Sequence, residues 1–202
     1  MPYLIKQCHT SKEKGECFSI RCYPWGKEYT PETTGSFLLL EGQGFLLQMQ
    51  CLENHPTAHY YKNSDPVHKD SCMEAFIDFF PQSGKGYINF EINANGAMKC
   101  SIGTQRNSPE HPRYYFEKEG VTIPRPRVCI EDDRWELSLL IPLSFLKTAY
   151  GRDDFAPGQV LRGNFHKCGE ETPIPHFGTL FPVSSPSPDF HRPEDFGELI
   201  IR

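Results

Sequence analysis

A chain of 202 residues is long enough to bury roughly 70% of its unfolded surface in one core without disulfide staples. Its net charge of −5 argues against nucleic acid as a partner, because phosphate binding needs concentrated Lys and Arg. No apolar run approaches the ~20 residues that cross a bilayer, so no membrane partner is expected.

With 15 Phe, 18 Pro and 16 Gly spread along the chain, the composition favours many short strands and turns. No linker or low-complexity tract divides it, so residues 1–202 are expected to form a single domain. The first 17 residues hold no apolar stretch of signal-peptide length. As it stands the chain reads as cytoplasmic, or as extracellular if a leader has been removed.

Residues 2–8 suggest a short edge strand, and residues 18–22 alternate weakly. Tyr23-Pro24-Trp25-Gly26 has turn chemistry, with Trp25 pinning a loop to the core. Residues 35–41 and 45–53 form a hairpin about Gly42-Gln43-Gly44. In its second strand Phe45, Leu47, Met49 and Cys51 share a face. Residues 54–69 form a loop rich in His and Tyr, the usual material of binding sites when rigid strands hold it.

A three-stranded meander over residues 70–102 organises the rest. Side chains of a strand face alternate sides. Met73, Ala75, Ile77 and Phe79 therefore oppose Glu74, Phe76, Asp78 and Phe80, and Ile88, Phe90, Ile92 and Ala94 oppose Tyr87, Asn89, Glu91 and Asn93. Pro81 to Gly86 makes one turn, and Asn95-Gly96 a tighter one in which both residues tolerate positive φ. Glu74, Asp78, Asn89 and Glu91 among aromatics are an unusual set for plain solvated surface.

Residues 103–127 read as a long irregular stretch, of the kind that is commonly functional; it carries Arg106 and Arg113. Residues 134–143 form a strand with Trp135 in the core. Residues 143–150 form one short helix with Ser144 near its cap. Residues 158–168 and 196–201 are further strands. The expected fold is all-β, a two-sheet antiparallel β-sandwich of jelly-roll (DOMON-like) character with at most one or two short helices.

The eight Cys show no CxxC and no zinc-ligand spacing. They read mostly as buried free thiols, with Cys51, Cys72, Cys100 and Cys129 in strand-like runs. His166, Glu170, His176 and His191 do not converge at any recognisable spacing, so no metal and no cofactor is expected. There is no GxSxG, P-loop or dinucleotide fingerprint. Glu74 with Glu91 leaves open a glycosidase-type pair. What remains is a binding surface: flat rings for sugar C–H faces, with amides, carboxylates and Arg forks for hydroxyls.

Three segments carry a family resemblance. They are Gly163-Asn164-Phe165-His166-Lys167-Cys168 with the run from Ser187 to Leu199, Asp70-Ser71-Cys72-Met73-Glu74-Ala75-Phe76-Ile77, and Trp135 with Ile141-Pro142-Leu143-Ser144-Phe145-Leu146. Together they resemble the family 9 carbohydrate-binding modules, and more closely their stand-alone bacterial relatives, over about residues 30–202. The resemblance implies a β-sandwich holding a sugar, often a chain end, between two aromatic rings. Phe190 falls at one ring position, and His68 or nearby Tyr61 or Tyr60 at the other; neither is Trp. Glu74 and Arg106 match positions that hold sugar hydroxyls. Some relatives bind calcium, but no Asp-rich loop here demands it.

The expected function is non-catalytic binding of a mono- or oligosaccharide. The expected site lies at a sheet end and comprises Tyr60, Tyr61, His68, Glu74, Asn89, Arg106 and Phe190. The alternatives are a saccharide-acting enzyme using Glu74, Glu91 or the His166/His176/His191 group, and a protein-binding β-sandwich.

Overall fold

The computed structural model describes residues 1–202. Its strands are β1 (Tyr3–Cys8), β2 (Cys17–Ile20), β3 (Cys22–Trp25), β4 (Thr33–Leu40), β5 (Gly44–Cys51), β6 (Cys72–Asp78) and β7 (Tyr87–Asn93). They continue with β8 (Met98–Gly103), β9 (Tyr114–Tyr115), β10 (Arg127–Ile130) and β11 (Trp135–Pro142). After the helix α1 (Leu143–Tyr150) come β12 (Val160–Gly169), β13 (His176–Thr179) and β14 (Gly197–Ile201).

Local patterning explains the hairpins. Phe45, Leu47, Met49 and Cys51 all point into the core, and β4 pairs with β5 from Thr33↔Cys51 to Leu40↔Gly44. At Gly44 (φ +144°) a Cβ would stand 2.1 Å from the Ile141 carbonyl oxygen, so only glycine closes this turn beside β11. The meander β6–β7–β8 is also as expected. Gly96 (φ +77°) makes its second turn, whereas Asn95 keeps negative φ. The Asn95 amide instead donates to the carbonyls of Ala58 and Tyr60, both at 3.0 Å, and ties the 54–69 loop to the turn. Helix α1 occupies the expected residues, but Pro142 precedes it and no side chain caps it, so Ser144 has no capping role.

The sheet arrangement differs from two separate antiparallel layers. Eleven of the fourteen strands form one mixed hydrogen-bonded path, β10-β11-β5-β4-β1-β14-β12-β6-β7-β8-β9, with β2 paired to β4 and β13 paired to β12 and β3 off it. Strand β1 is not an edge. Its first half, Tyr3 to Ile5, runs parallel to β14, and its second half, Lys6 to Cys8, parallel to β4. It is the seam at which the sheet curls over the core. Alternation reports which face a residue occupies, not which distant strand lies alongside, so this pairing was hidden.

Other corrections are local. Cys22 to Trp25 is a strand rather than a turn, with the chain reversing at Gly26. Trp25 does pin a loop, through Nε1 to the Ser185 carbonyl at 3.2 Å. The 103–127 stretch contains β9 and a 3-10 turn and runs into β10, where Cys129 is exposed rather than buried. All eight cysteines are free thiols.

Strands β6, β7 and β12 are buried on both faces, and this positions the site. One face feeds the main core through Met73, Ala75, Ile77, Ile88, Phe90 and Phe165. The other meets a second apolar cluster that includes Val67, Phe76, Tyr87, Phe190 and Phe196. Strand β13, paired alongside His166 to Gly169 of β12, and β3 next to it carry Phe177 and Trp25, which pack against this cluster. Glu74, Asn89 and Glu91 therefore lie beneath this cover, at most 2% exposed, rather than on open surface.

Candidate functional site

Where the cover parts, a cavity of about 190 Å³ opens over β6, β7 and β12. Glu74 and Glu91 form its floor, standing directly opposite one another on β6 and β7. Lys99 is opposite Glu91 on the next strand. His68, from the 3-10 turn Val67–Lys69, overhangs them. Phe190, His191 and Asp189 come from the segment before β14, and Arg106 from the loop after β8. Phe76 and Phe177 supply apolar wall.

The two floor carboxylates differ in charge state. Burial, and then the Glu91 charge, push Glu74 up to about 7. Burial acts on Glu91 in the same sense. There it is outweighed by the His68 hydrogen bond and the Lys99 ammonium, so Glu91 lies below the usual carboxylate range. The His68 Nδ1 and Lys99 Nζ both stand 3.5 Å from Glu91 Oε2. His68 Nε2 is 3.3 Å from Glu170 Oε2. The Glu91 carboxylate beside it raises the His68 pKa despite partial burial. Glu91 Oε1 accepts from Asn89 Nδ2 at 2.7 Å. Its Oε2 is fully buried and is met by His68 and Lys99 only at 3.5 Å.

The wall is held as firmly as the floor. The Phe190 ring stacks on His166, centroids 4.0 Å apart and planes 10° from parallel. The Tyr87 hydroxyl and His191 Nδ1 are 2.7 Å apart. At the rim, Arg106 Nε and Nη2 both donate to Asp189 Oδ1, at 3.1 and 2.8 Å. The other Asp189 oxygen and the remaining guanidinium N–H groups are left for a ligand.

Of the residues expected at the site, His68, Glu74, Arg106 and Phe190 meet at this cavity. Asn89 does not reach it; fully buried behind Glu91, it accepts from Ser101 Oγ at 2.6 Å. Tyr60 and Tyr61 do not line it either. Asp70 accepts from the backbone N–H groups of His59 and Tyr60, both at 2.9 Å, and this holds the loop. Tyr61 points to solvent, 76% exposed. Lys99 and Glu170 were missing from the expected set, and Asp189 and His191 flank the expected Phe190 in the 187–192 segment. The register of β7 with β8 was the available signal for Lys99.

Comparison with known proteins agrees with the segments noted in the sequence. The family model described as carbohydrate-binding family 9 matches residues 7–201.

The chain belongs to carbohydrate-binding family 9.

No curated protein sequence matches it. Among solved structures, this family 9 chain is similar to a proposed carbohydrate-binding protein from Bacteroides uniformis ATCC 8492. The TM-score is 0.79 at 24% identity, covering 100% of this chain and 99% of that one. It is also similar to a family 9 module from Caldicellulosiruptor kristjanssonii in complex with glucose (TM-score 0.65, 12% identity, 98% and 95% covered). A third similar structure is a family 9 module from the same organism with cellotriose (TM-score 0.64, 9% identity, 100% and 94% covered). At these identities the likeness concerns the fold. No helix of the family 9 chain is long and apolar enough to cross a membrane.

The buried histidines of this family 9 domain make its stability depend on pH. Burial pushes His191 down to about 3; Glu91 and Asp189 pull it up, and Arg113 and Arg106 push it down. In the unfolded chain the same imidazole takes a proton below about 6.5. Its contribution is complete above that pH and is lost as pH falls toward 3. Asp78, raised to about 6 by burial, runs the other way: its contribution is complete below about 4 and is lost as pH rises through 6. The His191→Asn variant lacks the first titration. Urea midpoints at pH 7 and pH 5 should move the stability difference by about 2 kcal/mol in the variant's favour at the lower pH. An unchanged difference would show that His191 is not held neutral.

Proposed function

We propose that this chain is a non-catalytic binding domain for one saccharide ring, such as a monosaccharide or the end of an oligosaccharide. The observation that carries the reading is the charged Glu91, whose buried Oε2 is met by His68 and Lys99 only at 3.5 Å, on the floor of a cavity of single-ring scale. A sugar hydroxyl donates to such an oxygen, and charge-assisted bonds of this kind are the stronger ones. His68, Lys99 and Arg106 donate to ring and hydroxyl oxygens. Phe190, braced from behind by His166, offers its free side to C–H groups. Family membership supports the ligand class, as do the glucose and cellotriose complexes of the similar modules.

Hydrolysis fits the geometry poorly. A glycosidase pair flanks the bond it breaks, whereas Glu74 and Glu91 are neighbours on one sheet face and meet any ring from the same side.

The test is calorimetric titration with glucose, xylose, galactose, mannose, cellobiose and cellotriose. Saturable binding in the micromolar to millimolar range is expected. It should weaken about tenfold in Arg106→Ala, as befits a bond to a charged group. The Arg106 side chain is largely exposed, so the fold should not suffer. Phe190→Ala should weaken it further. No saturable heat with any of these sugars overturns the reading.

A further inference from the structure

The cavity floor holds a second constellation, which shares only Glu74 with the expected saccharide site. Cys72 on β6 and Cys168 on β12 stand directly opposite one another. Glu74 lies two residues beyond Cys72 on the same face of its strand. The two sulfurs and a carboxylate oxygen all lie within 4.8 Å of one another. Cys168 Sγ donates to Glu74 Oε1 at 3.2 Å, so these groups already face each other. The three side chains are 0–2% exposed, yet Glu74 and Cys168 line the cavity. The donors are thus packed in place by two paired strands and reachable through one opening.

We infer that Cys72, Cys168 and Glu74 bind a thiophilic divalent cation of the zinc class, with the fourth coordination position open to the cavity. Two sulfurs and one oxygen suit zinc, which takes four tetrahedral ligands and accepts thiolate and carboxylate together. Calcium and magnesium require six or more oxygens and find one carboxylate here. Three protein ligands leave a position for water or for a hydroxyl of a bound molecule. The three side chains are buried and the backbone register fixes the thiols, so little side-chain ordering remains to be done on binding.

On binding, each thiol releases its proton to solvent and each sulfur forms a bond to the cation. Two thiolates and a carboxylate exceed the cation's charge by one. Lys99 faces the same cavity and offsets that excess. This inference rests on the floor geometry alone and holds whether or not a sugar enters.

The experiment uses the full chain, reduced and stripped with a chelator, then titrated with Co²⁺ and Zn²⁺. The expected result is one Co²⁺ per chain, with a thiolate-to-cobalt charge-transfer band and the visible bands of tetrahedral cobalt. Zinc should displace it. Cys72→Ser and Cys168→Ser should each weaken zinc at least 100-fold, and Glu74→Gln should weaken it about tenfold. A Cys17→Ser/Cys129→Ser control, which removes the exposed thiols, should bind as the unmodified chain does. Circular dichroism establishes that each variant is folded. Failure to take up metal overturns the inference. So does uptake that survives Cys72→Ser, or a Cys72–Cys168 disulfide that resists mild reduction. Loss of metal binding with sugar titration intact would overturn this inference and leave the saccharide reading standing.

Discussion

Replacing Lys167 with Met is expected to lower stability by about 3–5 kcal/mol, read as a fall in the urea midpoint. Lys167 has no exposed surface. Its ammonium stands 3.2 Å from Glu53 Oε2 and 2.7 Å from His176 Nε2, and it donates to the Cys168 carbonyl at 3.1 Å. Glu53 also accepts from Trp135 Nε1 and Ser71 Oγ, each at 2.9 Å. Burial alone would raise the Glu53 pKa. The Lys167 charge and these two donors outweigh burial and hold the carboxyl below its ordinary range. Without the lysine a charged carboxylate is left in the core, and that stranded charge, more than the lost attraction, is the expected cost. Adding Glu53→Gln should therefore recover part of the loss, and a double-mutant cycle isolates the coupling. A loss under about 1 kcal/mol for the single variant would mean that the pair is already screened or neutral.

The same pair marks the limit of what patterning reveals. Alternation along residues 158–168 put Val160, Arg162, Asn164 and His166 on one side. By elimination this leaves Leu161, Phe165 and Lys167 on the other. In the structure Leu161, Phe165 and Lys167 are all fully buried. A lysine ending an apolar face ordinarily snorkels to water; the distant Glu53, just past β5, and His176 on β13 supply the partners that explain its burial. The β4–β5 hairpin, the 70–102 meander, α1 and the core position of Trp135 were all legible, because local periodicity and turn residues specify them. The parallel pairings of β1 were not, since they join segments far apart in sequence.

The site divides along the same line. His68, Glu74, Arg106 and Phe190, chosen from motif and loop position, line one cavity. Tyr60 and Tyr61 were chosen as loop aromatics near the same strand. What decides their placement is Asp70, whose carboxylate gathers the backbone of His59 and Tyr60 and the Asn93 side chain. Cys72 and Cys168 belong to no spacing motif. Strand register alone makes them neighbours, and that information appears only once β6 and β12 are paired.

Arg113 should be as critical as Lys167, with a consequence for binding as well. Its guanidinium is buried and bonds to four residues, Ser101 through both its hydroxyl and its carbonyl. Nε donates to Ser101 Oγ at 2.9 Å and Nη1 to the Gln105 carbonyl at 2.8 Å. Nη2 donates to the Tyr87 carbonyl at 2.9 Å and to Asn89 Oδ1 at 2.8 Å. The charge also lies 4.4 Å from the centre of the Tyr87 ring. Removing it orphans several buried acceptors, each costing about 1–3 kcal/mol, so Arg113→Met should lose at least about 3 kcal/mol. Lysine cannot reproduce a planar fork, and Arg113→Lys should lose nearly as much. Asn89 passes the contact on, accepting from Arg113 and donating to Glu91 Oε1. The Gln105 bond anchors the loop that carries Arg106. Breaking the fork therefore loosens both a floor carboxylate and a rim cation of the proposed saccharide site. At a temperature where Arg113→Lys is still folded, sugar affinity should fall at least tenfold, although residue 113 touches no ligand. Wild-type affinity in a folded Arg113→Lys protein would mean that the cavity is held from the β6 side alone.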